Sequence, residues 1–233
     1  MAYAAQSKSS VLTTVAKVIA IDGPSGSGKS TVAKEIAKHL NILYVDTGAM
    51  FRAVGLALDQ HQIDFEDNQK LQDFLKTLKM DYGVEGTLIK INDEDLTHKI
   101  REHHVSGLAS QVSQLPSIRQ LLLDWQRQIA RERFCVMEGR DIGTVIFLTA
   151  NEMERARRRH LELSAKGQTL SFEQVLKDVR ERDERDTARA HAPLKQAADA
   201  VAVSNDGPKP EAVVAKIIEI ARIKAREKGL QLG

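Results

Sequence analysis

Gly23-Pro24-Ser25-Gly26-Ser27-Gly28-Lys29-Ser30-Thr31 decides the fold. The stretch matches G-x-x-x-x-G-K-[ST] in full and lies where that pattern has a mechanism. Before it runs a short apolar segment, Val15 to Ile21, which predicts a buried strand leading into Asp22. After it, Val32, Ile36 and Leu40 recur at helical spacing. Glycines let the backbone bend so that consecutive N–H groups converge on phosphate oxygens, and a helix N-terminus adds positive potential. Lys29 is placed to reach β and γ phosphates, and the Ser30 hydroxyl suits Mg²⁺. By composition alone a chain of this length matches about once in a hundred. The strand before and the helix after make accident rarer still.

Working outward, Ile42 to Val45 predicts a second buried strand and Met50 to Leu58 a second helix. Strand, helix, strand, helix is the opening of a parallel α/β layer. The middle of the chain breaks this rhythm. Leu71, Phe74, Leu75 and Leu78 mark an amphipathic helix, and Met80–Glu85 and Thr87–Asn92 read as a hairpin around Gly86. Helices are expected over Ile100–Ser113 and, after Pro116, over Ser117–Arg133. Residues 65–115 therefore read as an inserted subdomain. The α/β pattern then resumes, with strands at Phe134–Met137 and Thr144–Thr149. Charged helices follow at Asn151–Ala165 and Ser171–Arg189, then a last strand at Ala200–Val203 and a helix at Pro210–Lys228. Leu121, Leu122, Trp125 and Ile129 fit the core stripe of their helix.

Composition excludes several classes. The chain has 233 residues, 34 Lys and Arg against 32 Asp and Glu, and a net charge of +2. That balance gives no reason to expect a nucleic-acid polymer. One cysteine, Cys135, builds neither a disulfide framework nor a cysteine-rich zinc site. No segment approaches the roughly 18 uninterrupted apolar residues of a membrane span. Residues 1–14 are small and polar, lack the apolar centre of a secretion signal and read as a flexible leader. A cytoplasmic location is the expectation. His103 and His104 are adjacent and cannot share a ligand face on a helix.

Strand C-termini form the binding edge of a parallel sheet. Asp46-Thr47-Gly48-Ala49-Met50-Phe51-Arg52 follows the second strand, which makes Thr47 and Arg52 candidates to meet a ligand beside the phosphate cradle. Glu138-Gly139-Arg140-Asp141 follows the third. There Glu138 or Asp141 would orient Mg²⁺ or its water, and Arg140 would hold a phosphate. The competing reading is an Arg140–Asp141 pair that satisfies itself. On the later charged helix Arg182, Arg185, Asp186 and Arg189 share one face, and Glu181 is placed to pair with Arg185. Arginine suits a planar clamp on phosphate, although such charge runs are more often solvated and salt-bridged. Arg155, Arg157, Arg158 and Arg159 crowd the preceding helix. Together the two helices read as an arm that folds over a triphosphate.

These residues together resemble the bacterial cytidylate kinase family. The similarity extends from about Val18 to Arg226. It rests on the cradle, on Asp46 to Arg52, on Ala109-Ser110-Gln111-Val112 and on Glu138-Gly139-Arg140-Asp141-Ile142-Gly143-Thr144-Val145. Arg182-Asp183-Glu184-Arg185-Asp186 and Ala192-Pro193-Leu194 complete it. The resemblance implies an α/β P-loop three-layer fold with a central parallel sheet of about five strands. It implies a core over 15–64 and 116–233, a nucleoside-monophosphate-binding insert over 65–115 and a short helical lid over about 152–192. ATP with Mg²⁺ would be the donor, CMP or dCMP the acceptor, and the chain a monomer. By position, Gly23 to Thr31 and Arg158 would hold ATP, with Ser30 on the metal. Thr47, Arg52, Ser110, Arg119, Arg140, Asp141, Arg182, Asp186 and Arg189 would hold the acceptor. Ser110 and Arg119 would reach the cytosine ring and Asp186 the sugar. Lys29, Arg140 and Arg182 would act in transfer. Thr47 stands where the family more often has serine, which keeps the hydroxyl.

One departure bears on the fold. The family carries a short proline- and aspartate-containing link and a fresh apolar strand between the segments that here meet at Phe147 and Leu148. A deletion there would remove most of one sheet strand and shift Arg155 to Arg159 relative to the cradle. Three other readings remain at this point: a kinase for another small acceptor, a P-loop switch or regulatory module, and a nucleic-acid binder. The switch lacks an N-K-x-D guanine-reading motif. The nucleic-acid binder lacks an unopposed basic face.

Overall fold

The computed structural model describes residues 17–232, apart from 84–87, 103, 141, 143–145, 166, 190–192 and 208. Five strands form one all-parallel sheet: β1 (Val18–Asp22), β2 (Leu43–Asp46), β6 (Cys135–Gly139), β7 (Ile146–Thr149) and β8 (Val201–Ser204), in the order β2-β6-β1-β7-β8. Every residue of β2 and β6 is buried, which is why both read as unbroken apolar runs rather than alternating ones. Successive side chains still point to opposite faces. Leu43, Val45, Cys135 and Met137 enter one apolar cluster, whereas Tyr44 and Val136 enter the other. The first cluster is covered by α2 (Thr47–Gln60) and α5 (Pro116–Glu132), the second by α1 (Lys29–Leu40) and α8 (Pro210–Glu227). Three layers result.

Local chemistry sets the helix limits. Gly28, at φ 91°, is the cap before α1, and Asn41 closes that helix in the left-handed region at φ 48°. Asp46 caps α2, its carboxylate accepting from the Ala49 N–H at 2.8 Å. Pro116 and Pro210 occupy first turns, where a missing N–H costs nothing.

The middle region contains α3 (Gln69–Thr77), then β3 (Met80–Tyr82), β4 (Ile89–Ile91) and β5 (Glu94–Asp95), a small antiparallel sheet in that order. The hairpin is present, but its turn at Gly86 lies outside the described residues. β5 was not expected. The helix expected over Ile100–Ser113 is instead a 3₁₀ turn at Lys99–Arg101 followed by α4 (Val105–Val112), which packs along α2. Leu71, Leu75, Ile89, Ile91 and Leu96 join the same apolar cluster as Leu43, Met50 and Val54. The middle region thus shares a core with the sheet face it covers.

The sheet strand that a deletion would have removed is present. β7 runs without a break through Phe147 and Leu148 and pairs with β8 over four positions, Ile146↔Val201 to Thr149↔Ser204. Its pairing with β1 is brief, Ile21↔Ile146 and Asp22↔Phe147. β7 therefore passes beside the first cradle residue. A Cβ built on Gly23 would lie 2.1 Å from the Leu148 carbonyl oxygen. Gly23→Ala is expected to lose about 2–3 kcal/mol of stability, because backbone rather than a movable side chain must give way. A thermal melt of the variant checks it, and an unchanged melting temperature would refute the stated crowding.

Candidate active site

The cradle folds around its own lysine. Lys29 is 5% exposed and its Nζ donates to the Pro24 carbonyl at 2.7 Å, with Ser27 Oγ at 3.5 Å. Burial, then the positive charge of Arg140, push the Lys29 pKa well down, while Glu138 and Asp22 pull the other way. The rest of the cradle is strapped from behind. Asn205, just beyond β8, donates Nδ2–H to the Ser27 carbonyl at 2.8 Å, and a Cβ on Gly28 would come within 2.4 Å of that nitrogen. Ser30 and Thr31 are exposed at the start of α1.

Two charged helices, α6 (Glu152–Ala165) and α7 (Phe172–Thr187), form the arm over the cradle. Arg158 donates Nη2–H to the Asn205 carbonyl at 2.6 Å and Nε–H to Glu154 at 2.9 Å. Its remaining Nη1 is buried without a hydrogen-bond partner among the described residues, close to Gly28. Arg157 pairs with Glu154, Arg159 with Glu162 and Arg180 with Glu152. Glu181 lies against Lys177 at 3.8 Å rather than Arg185, so the expected i,i+4 partner is the wrong one.

Beside the cradle lies a second cluster of charge. Thr47 Oγ1 donates to the Glu138 carbonyl at 2.7 Å, which ties the start of α2 to the end of β6. Asp46 holds Arg52 at 2.9 Å, with Arg101 from the middle region at 3.8 Å. The Arg52 Nε is buried without a hydrogen-bond partner among the described residues. Tyr82 of β3 accepts from the Asp46 N–H at 2.8 Å. Arg140 pairs with Asp186 across the site, Nε to Oδ2 at 2.9 Å, and Arg189 binds the other oxygen of the same carboxylate. Arg140 thus has Asp186 as a partner, and Asp141, the other half of the self-satisfied pair, lies outside the described residues. Arg182 stands among Arg140, Arg52 and Asp186. Burial, then the Arg140 charge, pull its pKa down to about 10.

Ser110 and Arg119 stand a little apart. Arg119 Nη1 donates to the Ser113 carbonyl at 3.1 Å, and its guanidinium lies 5.7 Å from the centre of the Phe51 ring. The Ser110 carbonyl accepts from Ser113 Oγ at 2.8 Å, which places both candidates around one turn between α4 and α5. Glu138 is fully enclosed. Burial, then Asp46, raise its pKa, while Lys29, Ser30 and Tyr44 act against them. Tyr44 Oη donates to Glu138 Oε1 at 2.5 Å. Cys135 is a buried core thiol, pushed up to about 12 by burial, and is no nucleophile.

Sequence reading did not single out Tyr44, Tyr82, Arg101, Asp183 or Asn205. Each reaches the site across 36 or more positions of chain or from a segment with no motif of its own. Among the described residues no group of three or more His, Cys, Asp and Glu could hold a metal ion, and no helix is long and apolar enough to cross a membrane.

A parallel sheet with its glycine cradle at the end of β1, a buried lysine within it and facing arginines from an arm define a P-loop phosphotransferase. The family model described as cytidylate kinase matches residues 19–223, and the chain belongs to that family. It is 47% identical to the cytidylate kinase of Carboxydothermus hydrogenoformans over 212 residues, covering 87% of this chain and 96% of that one. To the cytidylate kinase of Shouchella clausii it is 42% identical, with coverage of 90% and 97%. To that of Geobacter sulfurreducens it is 41% identical, with coverage of 90% and 94%.

Proposed function

We propose that the chain transfers the γ-phosphoryl group of ATP to CMP or dCMP, giving ADP and CDP or dCDP. One observation carries the reading. The cradle and the Asp46–Arg52 cluster open on the same sheet edge, and each contains a buried guanidinium nitrogen, Arg158 Nη1 or Arg52 Nε, with no hydrogen-bond partner among the described residues. Unsatisfied buried donors on both sides of Lys29 suit two separate anions, a donor triphosphate and an acceptor phosphate.

In this reading the cradle, Gly23 to Thr31, wraps the donor phosphates with backbone N–H groups other than that of Ser25, which Asp183 takes, and Arg158 adds a charged donor at Gly28. Thr47, Arg52, Arg140, Arg182, Asp186 and Arg189 receive the acceptor nucleotide, and Asp141 belongs to the same set. Ser110 and Arg119 read the base. The attacking oxygen already belongs to an ionised phosphate near neutral pH, so no strong general base is needed. What remains is alignment and charge neutralisation. Lys29, Arg140 and Arg182 supply the positive charge.

The residues also suit Mg²⁺. The Ser30 hydroxyl meets the Glu138 carboxyl, and Asp22 lies nearby, an all-oxygen set of the kind a hard cation takes. A single hydroxyl and a carboxylate are enough for an ion that keeps water and phosphate oxygens as its other ligands. Bound there, Mg²⁺ would neutralise charge on the transferring phosphates. A monomer acting in the cytoplasm on these small molecules, without a nucleic-acid polymer, completes the reading.

Turnover with CMP, dCMP, UMP and AMP as acceptors tests it, CMP and dCMP being expected to dominate. Ser110→Ala with Arg119→Ala should erode the preference for CMP over UMP by about tenfold or more, since unmatched buried polar groups penalise the wrong base. A double variant with the full preference would show that the base is read elsewhere.

A further inference from the structure

One residue of the cradle is gripped by the arm at both of its backbone polar groups. The Ser25 N–H donates to Asp183 Oδ1 at 3.1 Å, and the Ser25 carbonyl accepts from Arg155 Nη1 at 3.0 Å. Arg155 and Asp183 are themselves joined, Nη1 to Oδ2, and Arg155 Nε donates to the Ala150 carbonyl at 3.0 Å. Both side chains are shielded, at 9% and 18% exposed. The backbone follows suit. A Cβ on Gly26 would lie 2.9 Å from the Arg155 carbonyl oxygen, so α6 rests against the cradle itself.

This clasp has a geometric consequence. Asp183 and Arg182 are successive residues of α7, so their side chains leave the helix about 100° apart. Pinning Asp183 to Ser25 therefore fixes the rotation of α7 about its axis, and with it the direction of Arg182. That direction is toward Lys29, Arg140 and Arg52, whose charges all act on it or feel it. A guanidinium among these cations, with Asp186 as its nearby acid, is poised for an arriving anion.

We propose that Asp183 and Arg155 are positioning residues, clasping Ser25 so that Arg182 is aimed at the phosphoryl group in flight. Neither touches substrate in this proposal. Both act through Arg182, and the inference rests on the role given to Arg182 above.

The experiment is a double-mutant cycle on the full chain, with ATP and CMP as substrates. Asp183→Asn should lower kcat by about tenfold to a hundredfold, the cost of a misplaced catalytic group, with the KM for CMP moving by less than about threefold. Arg182→Ala should lower kcat at least as far. In the Arg182→Ala background Asp183→Asn should then have no further effect, because the group it aims is gone. An equal loss in both backgrounds would mean that Asp183 supports the fold at large, and an unchanged kcat in Asp183→Asn would mean that the clasp aims nothing. Either result overturns the proposal while leaving Arg182 in place. Normal turnover in Arg182→Ala would remove the role of Arg182 itself, and the proposal with it. Arg155→Lys keeps the charge opposite Asp183 but loses the fork that reaches Ser25 and Ala150. It serves as the second entry to the same cycle if Asp183→Asn fails to fold.

Discussion

Lys29→Ala is expected to lower kcat by about a thousandfold or more while the protein stays folded. The side chain is nearly enclosed, and its ammonium sits on the Pro24 carbonyl inside the loop that would wrap the phosphates. No other cation shares that position. Arg140 and Arg182 approach from β6 and α7, on the acceptor side. Removing the ammonium therefore leaves the negative charge that builds during transfer without its innermost counter-charge. Stability should change little or improve, since burial and Arg140 both work against the charged amine in the empty site. Steady-state turnover with ATP and CMP, with a thermal melt beside it, checks both halves. Near-normal turnover would sink the assignment of the cradle.

Asp186→Ala should be costly in two currencies at once. The carboxylate is 4% exposed on its side chain and carries Arg140 on one oxygen and Arg189 on the other, with Arg182 close by. Without it three guanidiniums crowd a partly closed site with no shared anion. Breaking one partner from such a buried pair typically removes about 3–5 kcal/mol. It should also lower kcat/KM for CMP by more than about a hundredfold, since Arg140 loses the bond that holds it in the site. The acid limb of stability provides an independent readout. Burial tends to raise the Asp186 pKa, but Arg140 and Arg189 prevail and hold it below the ordinary carboxylate value. A lowered folded pKa means stability that is complete above about pH 4 and drains away as the pH falls below that range. Asp186→Ala should flatten that limb, measured as melting temperature against pH. A variant with the wild-type acid slope would show that the carboxylate contributes nothing net.

Much of this site is legible in the chain because its parts are local. The cradle is nine consecutive residues, and its function requires only that a strand precede and a helix follow. Thr47, Arg52 and Arg140 announce themselves as polar residues directly after buried strands. Asp186 and Arg189 are three apart at the end of α7, Arg189 lying just past its last residue, Thr187, and that spacing still lets them pair. Contacts that close the site from a distance leave no such trace. Asp183 meets Ser25 across 158 positions, and Asn205 meets Ser27 across 178. Nothing in either segment distinguishes a strap or a clasp from a solvated acid or a loop amide. Arg140 was offered a neighbour, Asp141, which lies outside the described residues, and meets Asp186 46 positions away. Adjacency in sequence gave no hint of Asp186 there, because the arm brings it from a distant helix. The joined strand at Phe147-Leu148 is instructive in another way. A shortened link threatened most of one strand, yet four residues, two of them paired on both sides, suffice for β7 to exist.

The division of the apolar clusters has a mechanical meaning. Leu71, Ile89 and Leu96 of the middle region are packed into the same cluster as Met50 and Met137, so that region is welded to the sheet and yields only by shearing close-packed side chains. The buried residues of the arm, Ala156, Leu163, Val175 and Val179, belong to neither cluster. α6 packs against α7, and Arg155 and Asp183 tie the pair to the cradle by polar links at Ser25. One flank of the sheet is thus a fixed jaw. Any displacement of α6 and α7 would break polar links at the cradle and leave both apolar clusters closed to water.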